Sequence, residues 1–220
     1  MTLFESIIYG IVEGVTEFLP VSSTGHLILT AKLLGHDQDA FQKTFEVVIQ
    51  LGSILAVIFA FKKRIFRDIE LWKRLVVGFI PTGILGLTLY KYIKSLFAPS
   101  TVAYMLIIGG ILFILIELFY KEKEHHIADP AQVSYKQAFA IGLFQSLAMI
   151  PGTSRSGATI IGGLLLGLKR TAATEFSFLL AVPTMLAATG YDMLRHFHEF
   201  SADNLGALGV GFITAFFMAL

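Results

Sequence analysis

Five runs of this chain, 45–61, 75–93, 102–119, 172–190 and 205–220, are apolar and long enough to span or nearly span a hydrocarbon layer. The charged residues sit in clusters between them. A soluble domain carries about 25% charged residues; this chain carries 15%. The expected fold is therefore an all-α integral membrane bundle. A net charge of +1 gives a nucleic-acid partner no electrostatic support. Cysteine is absent, which excludes disulfide and thiol chemistry. The last run reaches Leu220 without a polar cap, so the sequence predicts that a final span is missing.

Two further regions, 3–34 and 137–168, are apolar but broken. The first splits at Leu19-Pro20-Val21-Ser22-Ser23-Thr24-Gly25, the second at Pro151-Gly152-Thr153-Ser154-Arg155-Ser156-Gly157. Pieces this short suit re-entrant helical hairpins. Irregular backbone at membrane depth is tolerated only where protein buries it or a wet cavity meets it. Two such breaks mark a site.

The breaks also read as copies. Gly10, Glu13 and Gly14 align with Gly142, Gln145 and Ser146, and Pro20 aligns with Pro151 after a gap. Phe45-Glu46-Val47-Val48-Ile49 resembles Phe176-Ser177-Phe178-Leu179-Leu180 at nearly the same offset. One membrane domain, 1–220, then holds repeat 1 (about 1–120) and repeat 2 (about 134–220). Each would be a hairpin followed by spans, about six spans in all with the last one absent here. An odd number of spans per half makes the repeats inverted. Alternation puts loops 62–74, 120–136 and 169–171 on one side, with eleven basic residues against Lys32, Lys43, Lys91, Lys94 and Arg195 on the other. The positive-inside rule makes the richer side cytoplasmic.

Glu13 and Glu17 share one helical face at i, i+4, and carboxylates within membrane segments are costly and usually functional. Gly10 and Gly14 form a small-xxx-small pair that admits another helix closely. Ser22, Ser23 and Thr24 precede a helix opening at Gly25; one hydroxyl suffices as a cap, and the free N–H groups make an anion site. His26 lies three residues beyond Ser23. In the second break Thr153, Ser154 and Ser156 supply hydroxyls, and Gly152 and Gly157 let backbone approach a ligand. Arg155 is the sharpest signal, a planar fork of donors suited to phosphate. Carboxylates, hydroxyls and an imidazole from one break, with an arginine from the other, make a phosphoryl-transfer site by residue type.

Glu13-Gly-Val-Thr-Glu17-Phe-Leu-Pro-Val-Ser-Ser-Thr-Gly-His26 and Pro151-Gly-Thr-Ser-Arg-Ser-Gly157 resemble the paired signatures of the undecaprenyl-diphosphate phosphatases, the bacitracin-resistance family. The resemblance covers essentially the whole chain. It implies conversion of a polyprenyl diphosphate to the monophosphate at the extracytoplasmic face of a bacterial plasma membrane, which recycles the cell-wall lipid carrier. It implies essential roles for Glu13, Glu17, Ser23, His26 and Arg155, and stimulation by a divalent cation, Mg or Ca, for which Glu13 and Glu17 are the candidate ligands. A second copy of the chain is a further candidate partner.

The expected mechanism has Ser23 attack the terminal phosphorus with His26 assisting and Glu17 orienting the imidazole. Ser22, Thr24, Gly25, Thr153, Ser154, Ser156 and Gly157 would surround the phosphates. Ser23, His26 and an activated water all fit as the attacking group. The rival function is a lipid flippase or transporter on the same inverted-repeat scaffold.

Overall fold

The computed structural model describes residues 1–36, 39–89, 92–93, 96, 98–195 and 204–220. Lys91 and Lys94 lie outside the described residues, as does the side chain of Arg195. Helix α1 (Leu3–Thr16) opens on a capping box, in which the Glu5 N–H donates to Thr2 Oγ1 and the Thr2 N–H to the Glu5 carboxylate. Helix α2 (Ser23–Leu34) ends at Gly35, whose φ of 75° is the left-handed turn that favours glycine. Then come α3 (Ala40–Ala60), α4 (Lys62–Arg67), α5 (Ile69–Thr88) and α6 (Pro99–Phe119). The second half runs through α7 (Tyr135–Ser146), a 3-10 turn (Leu147–Met149), α8 (Arg155–Leu165), α9 (Arg170–Arg195) and α10 (Leu205–Ala219). Among the described residues there is no strand, only an isolated bridge between Ile127 and Leu168.

Four helices are long and apolar enough to cross a membrane: Phe41–Ala60, Ile69–Thr88, Ser100–Phe119 and Arg170–Tyr191. This is a multi-pass membrane protein. The fifth expected span is the shorter helix α10, of 15 residues, about 22 Å at 1.5 Å per residue. Both breaks fall between helices, as the sequence predicts. One boundary moves: the span expected over 75–93 is helical from Ile69. Asp68 caps it by accepting the Leu71 N–H at 2.9 Å, and Leu71 and Leu75 are buried, while Glu70 and Lys73 turn outward and pair with each other.

Close crossings hold the halves together. Helix α1 packs against α10, and α7 against α5. A Cβ on Gly10 would stand 2.7 Å from the Gly211 carbonyl oxygen, and one on Gly142 would overlap the Gly78 carbonyl. Tyr9, Leu27, Phe45, Ile49 and Leu208 form one core. Leu71, Leu75, Ile141, Phe176 and Leu180 form another. Phe18, Ile54, Val57, Ala181 and Val182 join α3 to α9 between them.

The three loops grouped by alternation meet at one end. Arg64 bridges Asp129 and Glu175, each at 2.7 Å, and Arg74 Nε donates to the Val133 carbonyl at 2.6 Å. The Ala131 N–H and the Arg64 guanidinium hold the Asp129 carboxyl below its ordinary range.

Candidate active site

Glu17 ends α1 and Ser23 begins α2, with the turn through Pro20 between them. That turn folds residues six apart onto each other: Ser23 Oγ donates to Glu17 Oε2 at 2.5 Å. The other Glu17 oxygen accepts from Arg155 Nη2 at 2.9 Å. Arg155 is the first residue of α8, so one carboxylate joins the two breaks. The arginine is held further by the Ser177 carbonyl, 3.1 Å from Nη1, and by the face of Phe18. Its Nε has no partner. Breaking such a buried pair by removing one partner costs about 3–5 kcal/mol.

Ser22 caps α2, its Oγ accepting the Gly25 N–H at 3.4 Å. It is the one positive-φ residue other than glycine among the described residues, at φ 64° and ψ 92°. Such strain persists where surrounding contacts enforce it. Here His26 does so twice: its backbone N–H and its ring Nδ1 both donate to the Ser22 carbonyl, at 3.2 and 2.9 Å. Since a carbonyl only accepts, Nδ1 carries the proton and Nε2 is the basic nitrogen. The expected imidazole–serine pairing is not what the fold makes. Glu17, not His26, receives the Ser23 hydroxyl, because the tight turn aims that hydroxyl back at α1.

A cavity of about 230 Å³ opens over this bridge. Glu17, Ser22, Ser23, Thr24, Thr153, Ser154 and Arg155 line it. Thr153 Oγ1, like Arg155 Nε, is buried without a partner. Both are donors, as an anion requires. The N-termini of α2 and α8 also begin at this wall, adding positive dipole ends.

Five expected residues stand elsewhere, Glu13 among them. Ser156 is fully buried and donates to the Leu19 carbonyl at 2.8 Å, tying the second break to the first. Gly157 gives its N–H to Ser154 Oγ, and a Cβ there would meet Phe113 at 2.9 Å. Gly25 packs beside Leu106, and His26 does not line the cavity. Conversely, Gln50, Thr82, Gln145 and Thr184 do line it, a neutral wall the sequence reading passed over. Gln145 Nε2 donates to Thr82 Oγ1 and Thr184 Oγ1, at 3.0 and 3.1 Å. Their signal was a scatter of polar residues inside apolar runs.

The model of the family "Bacitracin resistance protein BacA" matches residues 6–220. The chain belongs to the BacA family. Curated relatives carry the name undecaprenyl-diphosphatase. Those from Wolinella succinogenes and Persephonella marina are each 62% identical over 220 residues, all of this chain and 86% and 87% of theirs. One from Methanococcus aeolicus is 50% identical over the same length, 86% of its own.

In this BacA-family chain the two carboxylates expected to hold a cation are engaged differently. Glu17 uses both oxygens on Ser23 and Arg155. Glu13 does not line the cavity, and no group of three or more carboxylates or imidazoles gathers among the described residues.

Proposed function

We propose that this chain hydrolyses undecaprenyl diphosphate to the monophosphate and inorganic phosphate, with Ser23 as the attacking group. The hydrolase function agrees with family membership and with relatives named undecaprenyl-diphosphatase over the whole chain. The reaction recycles the lipid carrier of cell-wall synthesis and so opposes bacitracin. The observation that carries the mechanism is the Ser23–Glu17–Arg155 bridge at the cavity wall.

The terminal phosphate enters against Arg155, the Thr153 hydroxyl and the two helix N-termini. Ser23 gives its proton to Glu17 as its oxygen bonds phosphorus, and the bridging P–O bond breaks with its electrons on undecaprenyl phosphate. Water then attacks the phosphoserine; phosphate leaves, and Ser23 regains a proton. Arg155 neutralises charge on the transferring group. His26 fixes the strained Ser22 carbonyl and thereby the start of α2. A divalent cation, Mg or Ca, would add to the charge neutralisation that Arg155 supplies on the diphosphate.

The inverted repeat belongs to this reading. The pairing of α1 with α10 is the counterpart of α7 with α5. Gly211 packs on Phe45 and Ile49 as Gly78 packs on Leu180, the residue aligned with Ile49. We read α1–α2 and α7–α8 as hairpins entering from opposite faces, the first from outside, with the cavity opening to the extracytoplasmic side. The basic loops around Arg64 and Arg74 then face the cytoplasm.

Purified protein in detergent tests the function. It should release phosphate from undecaprenyl diphosphate with no membrane to cross. Lipid translocation in liposomes without phosphate release would favour the flippase.

A further inference from the structure

The cavity has two kinds of wall. The breaks give it Ser23, the attacking hydroxyl, with Thr153 and Arg155, which each have a donor to spare. Its polar lining from elsewhere is Gln50 on α3, Thr82 on α5, Gln145 on α7 and Thr184 on α9, with no charge among them.

Around Gln145 the donors of this second wall are already spent. Gln145 Nε2 gives one proton to Thr82 Oγ1 at 3.0 Å and the other to Thr184 Oγ1 at 3.1 Å. The Thr82 hydroxyl donates in turn to the Gly142 carbonyl at 3.2 Å, and the Thr184 hydroxyl to the Leu180 carbonyl at 2.8 Å. These bonds fix which way the amide points. An oxygen in the place of Nε2 would face two hydroxyls whose protons are committed to carbonyls. Thr184 Oγ1 also lies 3.3 Å from Gln145 Oε1, but its single proton serves the shorter bond. What Gln145 has left is Oε1, which only accepts. A phosphate oxygen finds no donor there, whereas a water molecule finds an acceptor. Among the described residues Gln50 makes no such bond, so its amide has no fixed direction.

The repeat does not impose this arrangement. Gln145 aligns with Glu13, and Thr184 with Ser53. Both counterparts are buried away from the cavity, and neither has a hydrogen-bond partner. The anchored neutral set occurs where the cavity is.

In phosphoryl transfer the attacking and leaving oxygens stand roughly in line. Undecaprenyl phosphate therefore departs on the side of phosphorus opposite the Ser23 oxygen. The water that cleaves the phosphoserine enters on that same side. With the terminal phosphate held by the break residues, that side faces the neutral wall. It must let an anion go and then take up a neutral molecule.

We propose that Gln145 Oε1 positions the hydrolytic water, held in place by Thr82 and Thr184. It rests on the hydrolytic reading. Oε1 accepts a hydrogen bond from the water and turns a lone pair toward phosphorus. The water oxygen bonds phosphorus, and the Ser23 P–O bond breaks with its electrons on the serine oxygen. That oxygen takes back the proton it gave up on attack, and the water's protons leave with the phosphate. Because Gln145 offers the departing undecaprenyl phosphate no donor, the first step does not depend on it.

Gln145→Met and Thr184→Val test the assignment, the first removing Oε1 and the second one anchor of the amide. Rapid acid quench follows undecaprenyl diphosphate labelled at its terminal phosphate. First-turnover formation of undecaprenyl phosphate should stay within about threefold of wild type in Gln145→Met, while phosphate release slows by at least about tenfold. Labelled phosphoserine should then accumulate. Thr184→Val should show the same imbalance more weakly, and it decides alone if Gln145→Met does not fold. Wild-type rates for both steps would overturn the assignment. So would slowing of both steps by one factor, which is what a merely structural contact predicts. A wild-type protein that releases no phosphate, or forms no phosphoserine, would sink the hydrolytic reading itself.

Discussion

Arg155 enters the cavity with one end of its fork on Glu17 and its Nε unpartnered. A lysine ammonium cannot hold Glu17, the Ser177 carbonyl and a phosphate in fixed directions at once. Arg155→Lys should therefore lose at least about a hundredfold in kcat/KM, or about 2.7 kcal/mol of transition-state stabilisation. Near-normal kinetics would reduce Arg155 to a general electrostatic role. The two adjacent serines should separate cleanly. Ser23→Ala should lose several orders of magnitude in phosphate release, whereas Ser22→Ala removes a cap and should cost about 1 kcal/mol of stability. His26 gives a third comparison. If the imidazole acts by pinning the Ser22 carbonyl through Nδ1, His26→Asn, which keeps a donor there, should recover activity that His26→Ala loses. Equal loss in both would make Nε2 a catalytic base. At this scale the sequence showed that one of three hydroxyls before an apolar helix caps it, and Ser22 is that one. The Glu17–Ser23 contact was not legible, because spacing along a helix says nothing about how a six-residue turn aims its side chains.

Helix crossings were half legible. Gly10 and Gly14 announced a close approach, but the sequence did not say that α10 makes it, since the partner is two hundred residues away. The matching Gly142 crossing on Gly78 carries a sharper test. A methyl at Gly142 overlaps backbone that cannot give way, so Gly142→Ala should destabilise the protein by about 1–3 kcal/mol. Gly109→Ala meets nothing within 4 Å and should be neutral or stabilising by up to about 1 kcal/mol. Thermal unfolding in detergent compares the two, and equal Tm values would remove the crossing from the account. Helix starts were similarly uneven. The span expected from residue 75 begins at Ile69, because Asp68 caps it and Glu70 and Lys73 in its first turns face outward. Mean apolarity hides a buried face when the exposed one is charged.

For the whole molecule, charge and alternation grouped three loops that the fold does bring together, two through Arg64, Arg74 and Asp129 and the third through the Arg170 N–H on Glu122. Which face they occupy is tested by labelling. The chain has no cysteine, so single cysteines report cleanly. One at Asp39 should react with an impermeant thiol reagent in intact cells and one at Asp68 should not; the reverse pattern would invert the proposed orientation. The sequence put the two breaks at one site; that the single carboxylate of Glu17 joins them it could not convey, for that depends on how both halves pack.

The most direct test of that meeting is the covalent intermediate. Rapid acid quench of the protein turning over undecaprenyl diphosphate labelled at its terminal phosphate should trap an acid-stable label on Ser23, absent from Ser23→Ala. An acid-labile label on His26, with Ser23→Ala retaining most of its turnover, would contradict the account.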